Sequence, residues 1–183
     1  ADGIIINQTT PDDPRVRYMQ DRGVPFATHG RTAMGIEHPF FDFDNEAFAR
    51  LMVRAMAARG RHNLMLVAPP KLQSYSLHMM RGFLQEAAAL GLAARITDEI
   101  TSDSPPAEVE AFAARVFGAT SRPDGVVLGS ATSSMAMVTG GETCGLRLGQ
   151  DFDVATKDSV HCLRRFRSDM LVVHEDVAQA GYF

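Results

Sequence analysis

Short aliphatic runs recur along the chain with helix-length segments between them, and this alternation constrains the fold more than any other feature. The runs are Gly3 to Ile6, Val24 to Thr28, Asn63 to Ala68, Ala94 to Ile96, Gly125 to Leu128, Phe152 to Ala155 and Met170 to Val173. Several intervening segments carry apolar residues at helical spacing. Val109, Phe112, Val116 and Phe117 predict one helix face, with Ser104 as cap, Pro105 and Pro106 in the first turn and Gly118 as the stop. A second helix is predicted from about Ser76 to Leu90, with Leu77, Met80, Leu84 and Ala87 turned inward. A third follows "FFDFD", where Phe41 and Phe43 alternate with Asp42 and Asp44 at strand period. From Asn45 onward the spacing becomes helical, through Ala47, Phe48, Leu51, Met52, Ala55 and Met56. Asp44 suits the helix N-cap, where a carboxylate accepts a backbone N–H and meets the positive end of the dipole. Strand, helix, strand in repetition is the pattern of an α/β fold with a mainly parallel sheet.

With 183 residues, 45% of them hydrophobic, the chain can form one domain or two small lobes. Cys144 and Cys162 form neither a CxxC pair nor a disulfide framework, so a reducing cytoplasm is the expected setting. The net charge is −4 and the densest basic run is "RRFR" at 164–167, which argues against this segment gripping nucleic acid by itself. No apolar run has the length of a membrane span. The chain opens on "ADGIII" and closes on "AGYF", and it reads as a piece of something longer.

Motifs for common chemistries do not emerge. "LGSATSS" lacks the second glycine of a nucleophile elbow, and neither a P-loop nor GxGxxG occurs, so no catalytic residue and no cofactor is assigned. The six histidines never fall at metal-ligand spacing, and no metal is expected. The acid pairs Asp42/Asp44 and Asp151/Asp153 suit solvated or capping roles better than acid–base catalysis.

An open α/β sheet binds ligands beyond the carboxyl ends of its strands. That rule selects Asn7-Gln8-Thr9, His29-Gly30-Arg31, Pro70-Lys71 with Gln73 and Tyr75 beyond, Glu99 to Thr101, Ser130, and Lys157-Asp158-Ser159. The mixture of amides, hydroxyls, an imidazole and cations beside an acid suits a small, hydroxyl-rich ligand, since each buried hydroxyl needs a partner. Met79, by contrast, reads as packing from the helical pattern alone.

The order of motifs resembles the effector-binding core of the lactose-repressor/galactose-repressor family of transcription regulators. "DGIIIN", "RGVPFATHGR", "FDFDNEAFARLMVRAMAARGRHNLMLVAPP", "MMRGFLQEAAALGL", "RPDGVVLGSATSSMAM", "GLRLGQDFDVATKDS" and "MLVVHEDVAQAG" resemble successive family segments across nearly the whole chain. The resemblance implies a periplasmic-binding-protein-like fold of two Rossmann-like lobes, the N-terminal one only partly present. Residues 1–43 would belong to that lobe, 44–171 to the C-terminal lobe, and 172–183 to a return crossing. Asp44, Asn45 and Val173 would sit at the hinge.

The same resemblance implies a homodimer with a sugar-like effector between the lobes, and operator DNA read by a separate helix-turn-helix head. Asn7, Gly30, Gln73, Met79, Ser130 and Asp158 match family positions that face the effector. The full expected ligand set is Asn7, His29, Arg31, Gln73, Tyr75, Met79, Ser130, Lys157 and Asp158. Three departures stand out: Gly30 where many sugar-binding members carry an acid, Met79 where they carry arginine, and Lys157 where an aromatic precedes the aspartate. Arg31 and Lys157 could therefore serve a sugar acid. Other readings are a solute-binding protein of a transporter, and an α/β enzyme using His29 or Asp158.

Overall fold

The computed structural model describes residues 2–159 and 161–182. A three-stranded sheet comprises β1 (Ile4–Asn7), β2 (Phe26–His29) and β3 (Phe40–Phe41), all parallel and in that order. The first crossover carries α1 (Pro14–Arg22), which begins where the Asp13 carboxylate accepts from the Arg15 N–H and ends at Gly23. After β3 the chain enters α2 (Asn45–Ala58) and builds the larger sheet. Its strands are β4 (Asn63–Val67), β5 (Ala93–Ile96), β6 (Gly125–Leu128), β7 (Asp153–Asp158) and β8 (Leu171–His174). They lie parallel in the order β5-β4-β6-β7-β8, so the strand order reverses between β4 and β6.

Strand periodicity sorts the core into two layers. Met65, Val67, Val126, Leu128 and Val154 face α4 (Pro106–Phe117) and α5 (Ala131–Thr143) on one side. Leu64, Leu66, Val127 and Ala155 face α2 and α3 (Ser74–Ala89) on the other. Cover on both faces explains why these strands read as nearly unbroken apolar runs. Burying each such Leu or Val side chain contributes about 1.5–3 kcal/mol. The short helices α6 (Leu163–Phe166) and α7 (Gln179–Tyr182) flank β8 in sequence.

Four expectations need correction. The inward face of α3 is Ser76, Met79, Phe83 and Ala87, while Leu77 and Leu84 are 40% and 42% exposed. Gly82 sets this rotation: a Cβ there would run into the Glu46 backbone carbonyl, so α2 and α3 approach closely along the face that carries it. On α2, Phe48, Met52 and Met56 are buried as expected, but Leu51 points outward. Ser104 does not cap α4; its Oγ accepts from the Thr101 N–H, and Pro105 holds the cap position. Finally, residues 172–174, expected in a crossing, extend the larger sheet, with Thr156, Lys157 and Asp158 paired to Val172, Val173 and His174.

At the amino end of β7, the fully buried Asp153 carboxylate takes hydrogen bonds from Arg59 Nη1 at 2.6 Å and Arg61 Nε at 2.7 Å. This pair pins the end of α2 to the sheet at the pole opposite the carboxyl ends of the strands.

Candidate functional site

The carboxyl ends of both sheets border one cleft with a volume of about 260 Å³. Asn7, Gln8, Thr9, His29 and Gly30 line it from the smaller sheet. Asp42, Phe43 and Asn45 line it from the passage into α2, and Tyr75, Gly129, Lys157, Glu175 and Val177 from the larger lobe.

The loop after β1 is held from below. Arg15 Nη2 donates to the carbonyls of Asn7 and Gln8 at 3.1 and 3.2 Å and to Asp13 Oδ2 at 2.7 Å. The Arg15 hydrogen bond, joined by backbone donors at Thr10 and Arg15, holds the Asp13 carboxyl below its usual range. Gln8 adopts φ +51°, a left-handed conformation that local hydrogen bonding must sustain. The Thr9 carbonyl accepts from the Ser74 N–H at 2.8 Å, joining this loop to the first turn of α3. Gly30 has φ +113°, and a Cβ there would collide with Thr9 Oγ1. An acid here, which the family resemblance implies for many sugar-binding members, would have to displace the Thr9 side chain.

Cations near the cleft are already paired. Arg31 Nε donates to Asp42 Oδ2 at 2.8 Å. Lys157, only 7% exposed, donates to Asn45 Oδ1 at 2.9 Å and Glu175 Oε1 at 3.2 Å. Its ammonium also lies 5.0 Å from the Phe43 ring centre and 5.5 Å from that of Tyr75, within cation–π range. Burial, with the negative charges of Asp103 and Glu175, pushes the Tyr75 phenol up to about 12, so it stays a neutral donor. The cleft thus offers amides, a phenol, an imidazole and two aromatic faces, with its formal charges matched in pairs.

Of the expected ligand residues, Asn7, His29, Tyr75 and Lys157 meet in this cleft. Arg31 turns to a separate hollow beside Thr32, Ile36, Glu37 and Phe40. Met79 is fully buried under the larger sheet and does not reach the cleft. Ser130 takes the N-cap position of α5, where its carbonyl accepts from Ser134 Oγ at 2.7 Å; its neighbour Gly129 lines the cleft instead. Strand alternation sends Asp158 to the face opposite Lys157, where Oδ2 accepts from the Leu163 N–H at 3.0 Å. Its hollow is shared with His161, Arg164, Arg165 and His174.

Gln73 precedes α3 outside the lining, and its Oε1, like Ser74 Oγ, is buried with no hydrogen-bond partner among the described residues. Asp44 caps α2 by accepting from the Ala47 N–H at 2.8 Å. Val173 pairs in register with Lys157. Asp42, Phe43, Glu175 and Val177 were missed as lining residues because they lie on connecting segments rather than at strand ends. Among the described residues no group of three His, Cys, Asp or Glu side chains is placed to hold a metal ion. No helix among them is long and apolar enough to cross a membrane.

The sequence matches the periplasmic binding protein-like domain over residues 53–182. The chain belongs to this family. The fold is similar to that of solved structures: a LacI-family regulatory protein from Chloroflexus aggregans superposes with a TM-score of 0.86 at 19% identity, covering 99% of this chain and 65% of that one. A structure described as a transcriptional regulator CelR–cellobiose complex gives a TM-score of 0.79 at 21% identity, covering 99% of this chain and 56% of that one.

In sequence, the periplasmic binding protein-like domain is 24% identical over 163 residues to the HTH-type transcriptional regulator AglR of Rhizobium meliloti, covering 87% of this chain. It spans less than half the length of the curated relatives it matches. The resemblance to the lactose-repressor/galactose-repressor effector-binding core is borne out.

Proposed function

We propose that this domain binds an uncharged, hydroxyl-rich small molecule of the sugar class in the cleft between its sheets. It passes occupancy to a DNA-reading head in the longer protein, acting as an effector sensor in the cytoplasm and not as an enzyme. The head and a second copy of the chain in a homodimer are partners that the relatives suggest. The observation that carries the ligand class is the pairing of cleft charges. With Arg31 on Asp42 and Lys157 on Glu175, no lone cation among the described residues of the cleft waits for a carboxylate, and a sugar acid would meet two acids already in place. The polar and aromatic lining instead suits hydroxyls and a sugar-ring face, because each buried hydroxyl left unpaired costs about 1–3 kcal/mol. A relative described with cellobiose supports the same class.

A thermal-unfolding screen against neutral mono- and disaccharides and the matching aldonic and uronic acids tests the reading. A binder present at a hundred times its dissociation constant adds about 2.7 kcal/mol of apparent stability. Stabilisation by neutral members supports the proposal; stabilisation confined to the acids contradicts it.

A further inference from the structure

One ammonium group touches two chain segments that border the cleft. Residues 42–45 carry the chain from β3 into α2, and so form the connection between the two sheets. Residues 175–177 are the segment that leaves β8. Lys157, at the end of β7, reaches Asn45 Oδ1 in the first and Glu175 Oε1 in the second, and sits over the ring of Phe43 in the first. Asn45 is itself turned by donating from Nδ2 to the Phe43 carbonyl at 2.8 Å. The Glu175 N–H is anchored on the Asp158 carbonyl at 3.1 Å.

We propose that Lys157 is a positioning residue that ties the passage between the two sheets to the segment leaving β8, and so fixes the angle at which the smaller sheet stands over the cleft. Burial gives the tie its strength. Lys157 is only 7% exposed, and losing one partner leaves a buried ion incompletely compensated. The charge is shared between a carboxylate, an amide oxygen and two ring faces, so the contacts strengthen or fail together. An ammonium has three N–H donors, and two are engaged among the described residues. The third is available to a ligand oxygen at the cleft wall. Any ligand that takes it touches the group on which the lobe angle depends. That last step rests on the effector reading given above; the tie itself does not.

The test therefore uses no ligand. Spin labels at Asp21→Cys in α1 and at native Cys144 after α5, in a Cys162→Ser background, report the distance between the lobes in the full chain. The expected result is a narrow distance distribution for the parent and a broader one for Lys157→Met, which keeps the apolar stem between the aromatic rings. Glu175→Leu should broaden it likewise, and the double variant should be no broader than Lys157→Met, which already removes the interaction with Glu175. Glu175→Gln, which keeps an oxygen acceptor but removes the counter-charge, should broaden it less than Glu175→Leu does. Thermal melts run alongside show which variants are folded. An unchanged distribution in folded Lys157→Met overturns the proposal. If that variant does not fold, an unchanged distribution in Glu175→Leu overturns it in its place. Failure of every sugar to bind leaves the distance result intact, so the two readings fail separately.

Discussion

Lys157 and Asn45 are 112 residues apart in the chain, yet the lysine Nζ lies 2.9 Å from the asparagine Oδ1. One residue ends a central strand of the larger sheet and the other opens the helix that follows the smaller sheet. A contact of this span exists only once α2 has packed on the larger sheet, and it joins the start of that helix to the cleft wall. The predictions below test the parts of the account on which that arrangement depends.

Met79 belongs to the core. Met79→Ala should cost about 2–5 kcal/mol in urea unfolding, as truncations of buried methionine do. Ligand affinity measured well below the unfolding transition should stay near the parent value. A large loss of affinity with unchanged stability would return Met79 to the cleft.

The inward face of α3 also shows why pattern reading stopped short. Leu77, Met80, Leu84 and Ala87 form as regular a stripe as Ser76, Met79, Phe83 and Ala87, and hydrophobicity alone favours the first. What decides is size: Gly82 lets α3 approach the α2 backbone, and the helix turns to place its small residue there. The strands were legible because cover on both faces makes them continuous apolar runs. The strand-end rule found Asn7, His29 and Lys157 for the same reason, since it follows from topology. Phe43, Asp42 and Glu175 escaped it because connecting segments carry no periodicity. Asp158 and Lys157 are neighbours in sequence, and only the alternation of side chains along β7 separates their environments.

Gly30 is required by its backbone. Gly30→Asp, which restores the acid common in sugar-binding relatives, should be destabilising by about 1–3 kcal/mol through strain at positive φ, with the collision against Thr9 adding to it. Calorimetric melts and the affinity for any sugar found in the screen should both fall. A stable variant that binds more tightly would show that the loop after β2 can open.

Asp153 anchors the pole opposite the cleft. Asp153→Asn leaves Arg61, whose side chain is 12% exposed, without its carboxylate partner. A loss of about 3–5 kcal/mol is expected for a broken buried pair, read from denaturant midpoints. A loss below about 1 kcal/mol would mean that solvent replaces the partner, as at a surface ion pair.

Acid should loosen the loop after β1. The hydrogen bond from Arg15 holds the Asp13 carboxyl below its ordinary 3.8. A lowered folded value means that the unfolded chain binds the proton more readily. The contribution of Asp13 is therefore fully present above the ordinary value and lost as pH falls through the lower, folded one. Asp169, lowered by its hydrogen bond from Arg167, acts in the same direction. Denaturant midpoints should drop between about pH 5 and about pH 3, and Asp13→Asn should show a smaller drop than the parent.

The central claim is that ligand is held between the carboxyl ends of the two sheets by neutral polar groups, with the cleft ions paired to one another. A crystal structure of the chain with a stabilising neutral sugar tests this most directly. The account predicts sugar density bounded by Asn7, His29, Tyr75 and Lys157, with the Lys157–Glu175 and Arg31–Asp42 pairs still closed. Density at another surface, or a ligand carboxylate on Lys157 with Glu175 displaced, would contradict it.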